Sequence, residues 1–354
     1  MLDYMQYMTE HKHEQLVLCF DRDTGLRAFI GVHSTTLGPG LGGIRLWQYE
    51  SSEAAMLDVL RLSEGMTYKA AVAGLALGGG KTVVMADGKE ADPRIRAARF
   101  QALGRYIDSL NGRYIGAEDV GTKPADMVEI RKVTRHVTGL PVEQGGSGDP
   151  SPVTAFGVWR GIQALVEEVF HTDSLKGVRV AIQGLGKVGL GLAEHLMKDG
   201  AIVIGTDVFS EKIKAAQAKN VKVVDSDAIY DVDCDIFAPC ALGAVLNADT
   251  IPRLKCKVVA GAANNQLAEP CHADMLESRG IVYAVDYVIN AGGLINVAHE
   301  VARPYSAEAA YAKAGNIYHT IKRMLKLAEN SHLTTRDAAQ QMAMEALQQT
   351  VPTP

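Results

Sequence analysis

The chain has 354 residues, a formal net charge of −5, 22% charged residues and no long basic run. This balance argues against nucleic acid and anionic membranes as partners. No apolar run reaches the roughly 18 residues that a membrane-spanning helix requires. The length exceeds the size at which one hydrophobic core stops growing, so two domains are expected. Five cysteines without a CxxC pair predict reduced thiols and a cytoplasmic location.

The first part of the chain mixes strand-like and helical patterns. Turn residues Asp23-Thr24-Gly25 separate two apolar runs, and Ser51 or Ser52 is placed to cap a helix with apolar residues at helical spacing. The predicted elements are strands over residues 16–19, 26–32 and 82–85, and helices over 53–63 and 92–110.

The composition changes at residues 145–152, the richest Gly/Pro/Ser stretch, and we place the crossover between domains there. Short apolar strands then alternate with helices, which predicts a parallel, doubly wound sheet in an α/β fold. The tail from about residue 306 is predicted to be helical, and its last helix to pack on the first domain. The predicted elements are helices over 154–170 and to about 198, and strands over 178–183, 201–206, 222–224, 236–238 and 258–260.

A GxGxxG run, Gly184 to Gly189, follows an apolar strand and opens a helix, and Asp207 ends the next strand. In this setting the run predicts a dinucleotide site. Gly184 would allow the tight turn, Gly186 close approach of the pyrophosphate, and Gly189 close packing of the helix, whose first residues Lys187 and Val188 would offer amides. A carboxylate at position 207 favours NAD over NADP, because it accepts bonds from ribose hydroxyls and repels a 2′-phosphate. The alternative is a glycine-rich turn without a ligand.

A second glycine run, Gly78 to Gly80, precedes Lys81-Thr82 and invites comparison with a phosphate-binding P-loop. The pattern GxxxxGK[ST] needs glycine where Leu75 stands, and no helical pattern follows. We therefore reject a nucleoside-triphosphate site. Three glycines before a lysine instead allow a small substrate to approach the backbone closely.

Two lysines, Lys69 and Lys81, lie in an otherwise apolar stretch, although lysines are most often solvated. Burial and a neighbouring ammonium both disfavour the charged form of a lysine, so one can act as a base while the other binds a carboxylate. Glu118 and Asp119 supply complementary acids. Glu118 is equally well explained as a surface residue, whereas Asp119 is placed at the end of a strand.

Together these segments resemble the Glu/Leu/Phe/Val dehydrogenase family, most closely its leucine-dehydrogenase branch. The resemblance implies reversible oxidative deamination of an L-amino acid to a 2-oxo acid and ammonium, with NAD as cofactor, in a homo-oligomer. It also implies a cleft between two domains: a substrate-binding and oligomerisation domain over 1–140, joined by a C-terminal helix over about 326–354, and a Rossmann-type NAD-binding domain over 141–325. The matching segments are 35–39, 65–69, 77–81, 117–122, 147–155, 238–243, 261–266 and 286–293.

The resemblance also implies roles for single residues. Lys69 would pair with the substrate carboxylate, Lys81 would activate water, and Asp119 would exchange protons with the amino group. Asn264 would lie near substrate and nicotinamide. The cofactor-lining segments would contribute Thr154, Cys240, Ala241, Asn264 and Asn290. No metal site is expected, and the pair His11 and His13 is interpreted as solvent-facing.

The positions that match the family's side-chain pocket predict an apolar substrate. A glutamate side chain would need a buried cation there, whereas this chain offers no charge. Leucine, valine and isoleucine are therefore favoured, with phenylalanine or another aromatic amino acid as the alternative and an NAD-binding protein without catalysis as the second. Gly40, where alanine is common, would widen the pocket edge. The pocket positions are Leu41, Gly42, Ala117, Asn264, Leu294 and Val297.

Overall fold

The computed structural model describes residues 3–301 and 304–348, in two compact units. We call the first the mixed-sheet unit; it comprises Met1–Asp149, Val297–Ala307 and Ala343–Pro354. The second, the parallel-sheet unit, comprises Pro150–Asn296 and Glu308–Met342. Residues 349–354, the end of the segment predicted to join the first domain, lie outside the described residues.

The mixed-sheet unit contains strands in the order β1-β2-β4-β3-β5. The pairs β1–β2 and β2–β4 are antiparallel, and β4–β3 and β3–β5 are parallel. Its strands and helices are β1 (Gln15–Asp21), β2 (Leu26–Ser34), β3 (Gly40–Trp47), β4 (Gly78–Met85), β5 (Tyr114–Glu118), α1 (Tyr4–Glu10), α2 (Ser52–Val72), α3 (Pro93–Ser109) and α4 (Pro124–Arg131).

Two elements are longer than the sequence patterns predicted. Strand β4 begins at Gly78 instead of residue 82, because its glycines pair with β3 and β2. Helix α2 continues to Val72 instead of ending at residue 63. Its buried face there carries the hydroxyl of Ser63, beside Gly31, and that of Thr67, beside Gly79. The apolar periodicity therefore disappears while the helix persists.

The mixed sheet has an apolar core on each face. Neighbouring residues of one strand point to opposite faces, as the strand geometry requires. Val83 packs with the α2 side around Val59, and Val84 packs with the α3 side around Leu103. Both lysine-bearing segments, β4 and α2, are thereby held in a rigid α/β/α arrangement.

A buried carboxylate explains why the chain from Val297 belongs to the mixed-sheet unit. Glu300 is fully buried and accepts hydrogen bonds from the amides of Gly139 and Ser147 and from the Ser147 hydroxyl at 2.8–2.9 Å. Several donors to one carboxylate offset the cost of burying its charge.

The parallel-sheet unit has strand order β11-β10-β9-β6-β7-β8, with parallel pairing throughout. This is the order of a doubly wound dinucleotide-binding fold, so the predicted α/β class is confirmed. Its strands and helices are β6 (Arg179–Gln183), β7 (Ile202–Thr206), β8 (Lys222–Val223), β9 (Ile236–Pro239), β10 (Val258–Val259), β11 (Val282–Tyr283), α5 (Ser151–Phe170), α6 (Lys187–Lys198), α7 (Ser210–Ala218), α8 (His272–Ser278), α9 (Asp286–Ile289), α11 (Ala307–Gly315) and α12 (Ile317–Ser331). Two helices are divided between the units: α10 (Gly292–Val301) belongs to the mixed-sheet unit from Val297, and α13 (Thr335–Gln348) from Ala343.

The interpretation of His13 as a solvent-facing residue was wrong. Its ring is buried, its Nε2 donates to the Leu60 carbonyl at 3.0 Å, and it meets the His33 ring edge-on at 4.7 Å. Over the described ranges, no group of three or more His, Cys, Asp or Glu side chains is arranged to hold a metal ion. Within the same ranges, no helix is long and apolar enough to cross a membrane.

Candidate active site

Lys81 and Asp119 meet across strand β3 of the mixed sheet. Lys81 lies in β4, Asp119 directly follows β5, and β3 runs between these strands. The Lys81 Nζ lies 2.7 Å from Asp119 Oδ2, and the lysine is only 5% exposed. The two residues predicted to carry the chemistry are thus brought together as a buried ion pair.

Gly43 makes room for this pair, and sequence reasoning missed it. A Cβ at Gly43 would lie 2.6 Å from the Asp119 Cβ and 3.1 Å from the Lys81 Nζ. Any side chain there would displace one of the two groups. The signal in the sequence is weak, because Gly43 stands in a glycine-rich strand where several neighbours are also glycine.

Arg45 is a second functional residue that the sequence analysis missed. Its Nε lies 3.3 Å from Asp119 Oδ2. Burial alone would raise the pKa of Asp119, but Lys81 and Arg45 favour the anion, and the net direction of the pKa is downward. The available signal was one arginine in an otherwise apolar strand.

The backbone at Asp119 is fixed by the turn that follows β5. The Asp119 amide donates to Thr122 Oγ1 at 2.9 Å, and this hydroxyl contacts the Ile44 carbonyl at 3.0 Å. Gly121 has φ +81°, and a Cβ there would lie 2.0 Å from the Leu46 carbonyl oxygen. The acid is therefore positioned by β3 as well as by its own strand.

The remaining predicted residues of the mixed-sheet unit lie on neighbouring elements. Leu41 and Ala117 are buried in the paired strands β3 and β5. Lys69 is half-buried in the last turn of α2, and Val297 is half-buried on α10. Glu118 is exposed, as its surface interpretation predicted.

Two glycines of β3 serve strand packing. A Cβ at Gly42 would lie 1.6 Å from the Gly80 carbonyl oxygen. One at Gly40 would lie 3.2 Å from the Gly79 carbonyl oxygen and 3.3 Å from that of Arg113. The space beside Gly40 is thus narrow for a Cβ, and the expectation that this glycine widens the edge of a pocket stays a prediction.

The glycine loop of the parallel-sheet unit is shaped by the absence of side chains. Gly184 has φ +101°, and its Cβ would lie 2.7 Å from the Ala241 Cβ. A Cβ at Gly189 would lie 1.9 Å from the Gly184 carbonyl oxygen, whereas one at Gly186 would meet nothing within 4 Å. Gly186 opens α6, which places the amides of Lys187 and Val188 in the first helical turn. This cradle fits a pyrophosphate.

Asp207 follows β7 and is tied to the same loop. Its Oδ2 accepts the Leu185 amide at 2.9 Å and lies 3.8 Å from the Lys212 Nζ. Its Oδ1 accepts the Phe209 amide at 3.0 Å, and the side chain is only 6% exposed. A carboxylate can accept further hydrogen bonds beyond these, so the residue fits ribose recognition.

Polar groups after β9, β10 and α9 complete this edge of the parallel sheet. Asn290 Nδ2 donates to Asn264 Oδ1 at 2.8 Å and to the Ala262 carbonyl at 3.0 Å, while its buried Oδ1 has no hydrogen-bond partner among the described residues. Burial raises the pKa of the Cys240 thiol to about 12, so this thiol stays neutral.

Thr154 and Leu294 lie on the helices α5 and α10. Thr154 Oγ1 donates to the Pro150 carbonyl at 2.9 Å, and a Cβ at Gly293 would lie 2.8 Å from this hydroxyl oxygen. Leu294 is buried beside Gly293 on α10. The loop, the carboxylate and the unpaired amide oxygen of Asn290 together fit a dinucleotide at the carboxyl ends of the strands.

Comparison with known proteins identifies the family of this chain. The family model described as "Glu/Leu/Phe/Val dehydrogenase, dimerisation domain" matches residues 13–136, and the model described as "Glutamate/Leucine/Phenylalanine/Valine dehydrogenase" matches residues 145–209 and 206–352. Leucine dehydrogenase of Thermoactinomyces intermedius is 53% identical over 97% of this chain and 93% of that protein. Phenylalanine dehydrogenase of Caldalkalibacillus thermarum is 46% identical over 95% of this chain and 92% of its own.

The crystal structure of L-tryptophan dehydrogenase from Nostoc punctiforme superposes with a TM-score of 0.86 at 41% identity, covering 98% of this chain and 99% of that one. The chain therefore belongs to the Glu/Leu/Phe/Val dehydrogenase family of amino-acid dehydrogenases, which implies a nicotinamide cofactor.

Proposed function

We propose that this protein catalyses the reversible, NAD-dependent oxidative deamination of a branched-chain L-amino acid, with leucine, valine and isoleucine as substrates. The observation that carries the proposal is the buried Lys81–Asp119 pair on strands whose neighbouring positions, Leu41 and Ala117, are apolar. An acidic substrate side chain would find no cation at those two positions. The higher identity to the leucine dehydrogenase than to the phenylalanine dehydrogenase supports the aliphatic choice.

Each charged group has a distinct proposed task. Lys69 holds the substrate carboxylate. Asp119 accepts a proton from the substrate ammonium group and returns one to the departing ammonia. Lys81 acts as a base in its neutral form, after the ammonium group of the resting ion pair has released its proton. It then takes a proton from the water that adds to the imine, and its 2.7 Å contact with Asp119 gives a direct path for a proton between the two groups.

The glycine loop and Asp207 hold the cofactor in this proposal. Amides at the start of α6 bind the pyrophosphate, and Asp207 binds the adenosine ribose, which favours NAD over NADP. Thr154, Cys240, Ala241, Asn264 and Asn290 line the nicotinamide half. When bound, the nicotinamide ring accepts the hydride that leaves the substrate Cα.

Assembly is the least specific part of the proposal. The family model over residues 13–136 is described as a dimerisation domain, which supports a homo-oligomer. The cytoplasmic location stays a prediction from the cysteine pattern.

The decisive experiment measures NADH formation with leucine, valine, isoleucine and phenylalanine, each with NAD and with NADP. We expect turnover with the aliphatic amino acids and NAD. A preference for phenylalanine would replace the aliphatic assignment with the aromatic one, and no turnover with any amino acid would overturn the proposed reaction.

The role of Lys81 is tested by Lys81→Ala. We expect turnover to fall at least about 100-fold while the dissociation constant for NAD stays within twofold, because general-base catalysis contributes about 10²–10⁴-fold. Lys132→Ala is a matched control, since Lys132 is a largely exposed lysine of the same unit that pairs with Glu129. Near-normal turnover of Lys81→Ala would contradict the assigned role.

A further inference from the structure

Arg45 bridges two carboxylates on different elements of the mixed-sheet unit. Its Nε reaches Asp119 Oδ2 at 3.3 Å, and its Nη1 reaches Asp58 Oδ2, on α2, at 3.1 Å. The hydroxyl of Tyr49 donates to the same Asp58 oxygen at 2.5 Å. A chain of contacts therefore runs from Tyr49 through Asp58 and Arg45 to Asp119.

The charges along this chain alternate. Lys81, Asp119, Arg45 and Asp58 carry +, −, + and − in order, and their side chains are 7%, 19%, 22% and 29% exposed. The alternation balances the charges of a partly buried site. It also requires an arginine, because only the planar guanidinium fork donates to two separate carboxylates in a fixed geometry.

Both cations contact the same oxygen of Asp119. Lys81 and Arg45 both reach Oδ2, and the backbone at Val120 also donates to this carboxyl group. The carboxylate is thus held through Oδ2 by cations from two different strands.

We propose that Arg45 is a positioning residue of this active site, which holds Asp119 through Oδ2 and is itself held by Asp58 and Tyr49. The proposal rests on the acid/base role assigned to Asp119 under the proposed function. Arg45 itself contacts no reacting atom in this scheme. Its effect passes through the orientation and the charge of Asp119.

The electrostatic consequence has a definite sign. Asp119 is faced by Lys81 from β4, Arg45 from β3 and the buried Tyr114 from β5. Burial raises the pKa of Asp119, and Lys81 and Arg45 lower it. Without Arg45 one of the two cations that oppose the effect of burial is lost, so the pKa of Asp119 rises and the anion persists only at higher pH.

The test compares Arg45→Gln, Arg45→Lys and Asp58→Asn in the full-length protein, with leucine and NAD. For Arg45→Gln we expect kcat to fall by about 10- to 100-fold, as small misplacement of a catalytic group does. The acid-side midpoint of kcat/KM should move to higher pH, with the dissociation constant for NAD within twofold of wild type. Arg45→Lys should restore the midpoint but only part of kcat. Asp58→Asn should lose less kcat than Arg45→Gln.

A matched control is Arg105→Gln, since Arg105 forms a surface ion pair with Asp21 in the same unit. It should leave kcat and the pH profile unchanged. If Arg45→Gln does not fold, Arg45→Lys decides: a lower kcat at an unchanged acid midpoint supports the proposal, and a wild-type kcat overturns it.

Two variants separate the positioning role of Arg45 from the acid/base role of Asp119. Wild-type kcat and pH profile in Arg45→Gln, together with an inactive Asp119→Asn, would overturn the positioning role and leave the proposed function intact. Near-normal turnover in Asp119→Asn would overturn the acid/base role, and the inference with it.

Discussion

The candidate residues of the two units are held by different means. In the mixed-sheet unit the candidate residues are charged side chains whose charges balance one another, and Asp119 contacts both Lys81 and Arg45 directly. In the parallel-sheet unit the shape comes from missing side chains, at Gly184 and Gly189, and from backbone amides.

This contrast predicts which substitutions each unit tolerates. A charged network depends on the chemical identity of its members, so isosteric changes are harmful there. A glycine loop depends on the absence of side-chain volume, so any added side chain is harmful there, whether it is polar or apolar. Four predictions test this comparison, beginning with the largest effect.

Gly189→Ala should weaken NAD binding by about 5- to 100-fold, because the added Cβ would lie 1.9 Å from a backbone oxygen that cannot rotate away. Backbone strain of this kind costs about 1–3 kcal/mol, and each 1.4 kcal/mol is about tenfold in affinity. Calorimetric titration measures the change. Gly65→Ala on α2 is the control, since a Cβ there meets nothing within 4 Å. Unchanged affinity in Gly189→Ala would break the volume argument.

Asp119→Asn should destabilise the mixed-sheet unit more than Lys81→Met does. The first change leaves Lys81 and Arg45 as neighbouring cations without their shared carboxylate, whereas the second leaves Asp119 paired with Arg45. Breaking a buried pair in this way costs on the order of 3 kcal/mol. Scanning calorimetry of both variants measures the difference, and equal losses would show that the network does not act as a unit.

His33 should make the mixed-sheet unit sensitive to acid. Burial, and then His13, lower its pKa to about 4, while its Nε2 donates to the His11 carbonyl and its Nδ1 contacts Thr67 Oγ1. The pKa in the unfolded chain is about 6.5, so the unfolded form binds the extra proton between about pH 6.5 and 4. The free energy of unfolding should therefore fall as pH falls through this window, by on the order of 2 kcal/mol from this residue.

His33→Gln should flatten that pH dependence, measured as melting temperature against pH. The other titratable groups of the cluster, His11, His13, Glu14 and Glu64, remain in the variant and supply the residual slope. An unchanged slope would remove His33 from the explanation.

Ser51→Ala should have the smallest effect. The Ser51 hydroxyl accepts the Ala54 amide at 3.1 Å and caps α2, and losing such a cap costs about 1 kcal/mol. Ser52→Ala is the matched control, because Ser52 is the first helical residue and not the cap. A lower melting temperature only for Ser51→Ala, with NAD affinity unchanged, would confirm that stability of α2 and cofactor binding are separable.

The parallel sheet was the most predictable part of the fold. Its central strands are buried on both faces, so residues such as Val180, Ala181 and Ile182 form a short apolar run. Such a run can be recognised from the sequence alone. Strand β3 was not predicted, because Gly40, Gly42 and Gly43 interrupt any alternation. Those glycines leave space for the backbone and side chains of residues far away in the chain. Contacts with such distant residues produce no pattern in the local sequence.

The candidate site divides in the same way. Lys81 was predicted from its glycine-rich and apolar neighbours in the chain, whereas the role of Asp119 was implied by the family resemblance. Arg45 was not, since its meaning depends on Asp119, 74 residues further along the chain, and on Asp58 in a helix. His13 was misread for the same reason, because its burial is set by α2 and β2 and not by its neighbours in the chain.

The bond between Asp207 and the Leu185 amide bears on attempts to engineer the cofactor preference. Replacing Asp207 by a small neutral residue is the obvious way to admit a 2′-phosphate, but it would also remove the acceptor for a loop amide at 2.9 Å. The same substitution would therefore loosen the turn that we propose to bind the pyrophosphate, a group common to NAD and NADP. A redesign would need a second change that provides a new acceptor for the Leu185 amide. The preference between NAD and NADP and the binding of the pyrophosphate therefore have to be altered together.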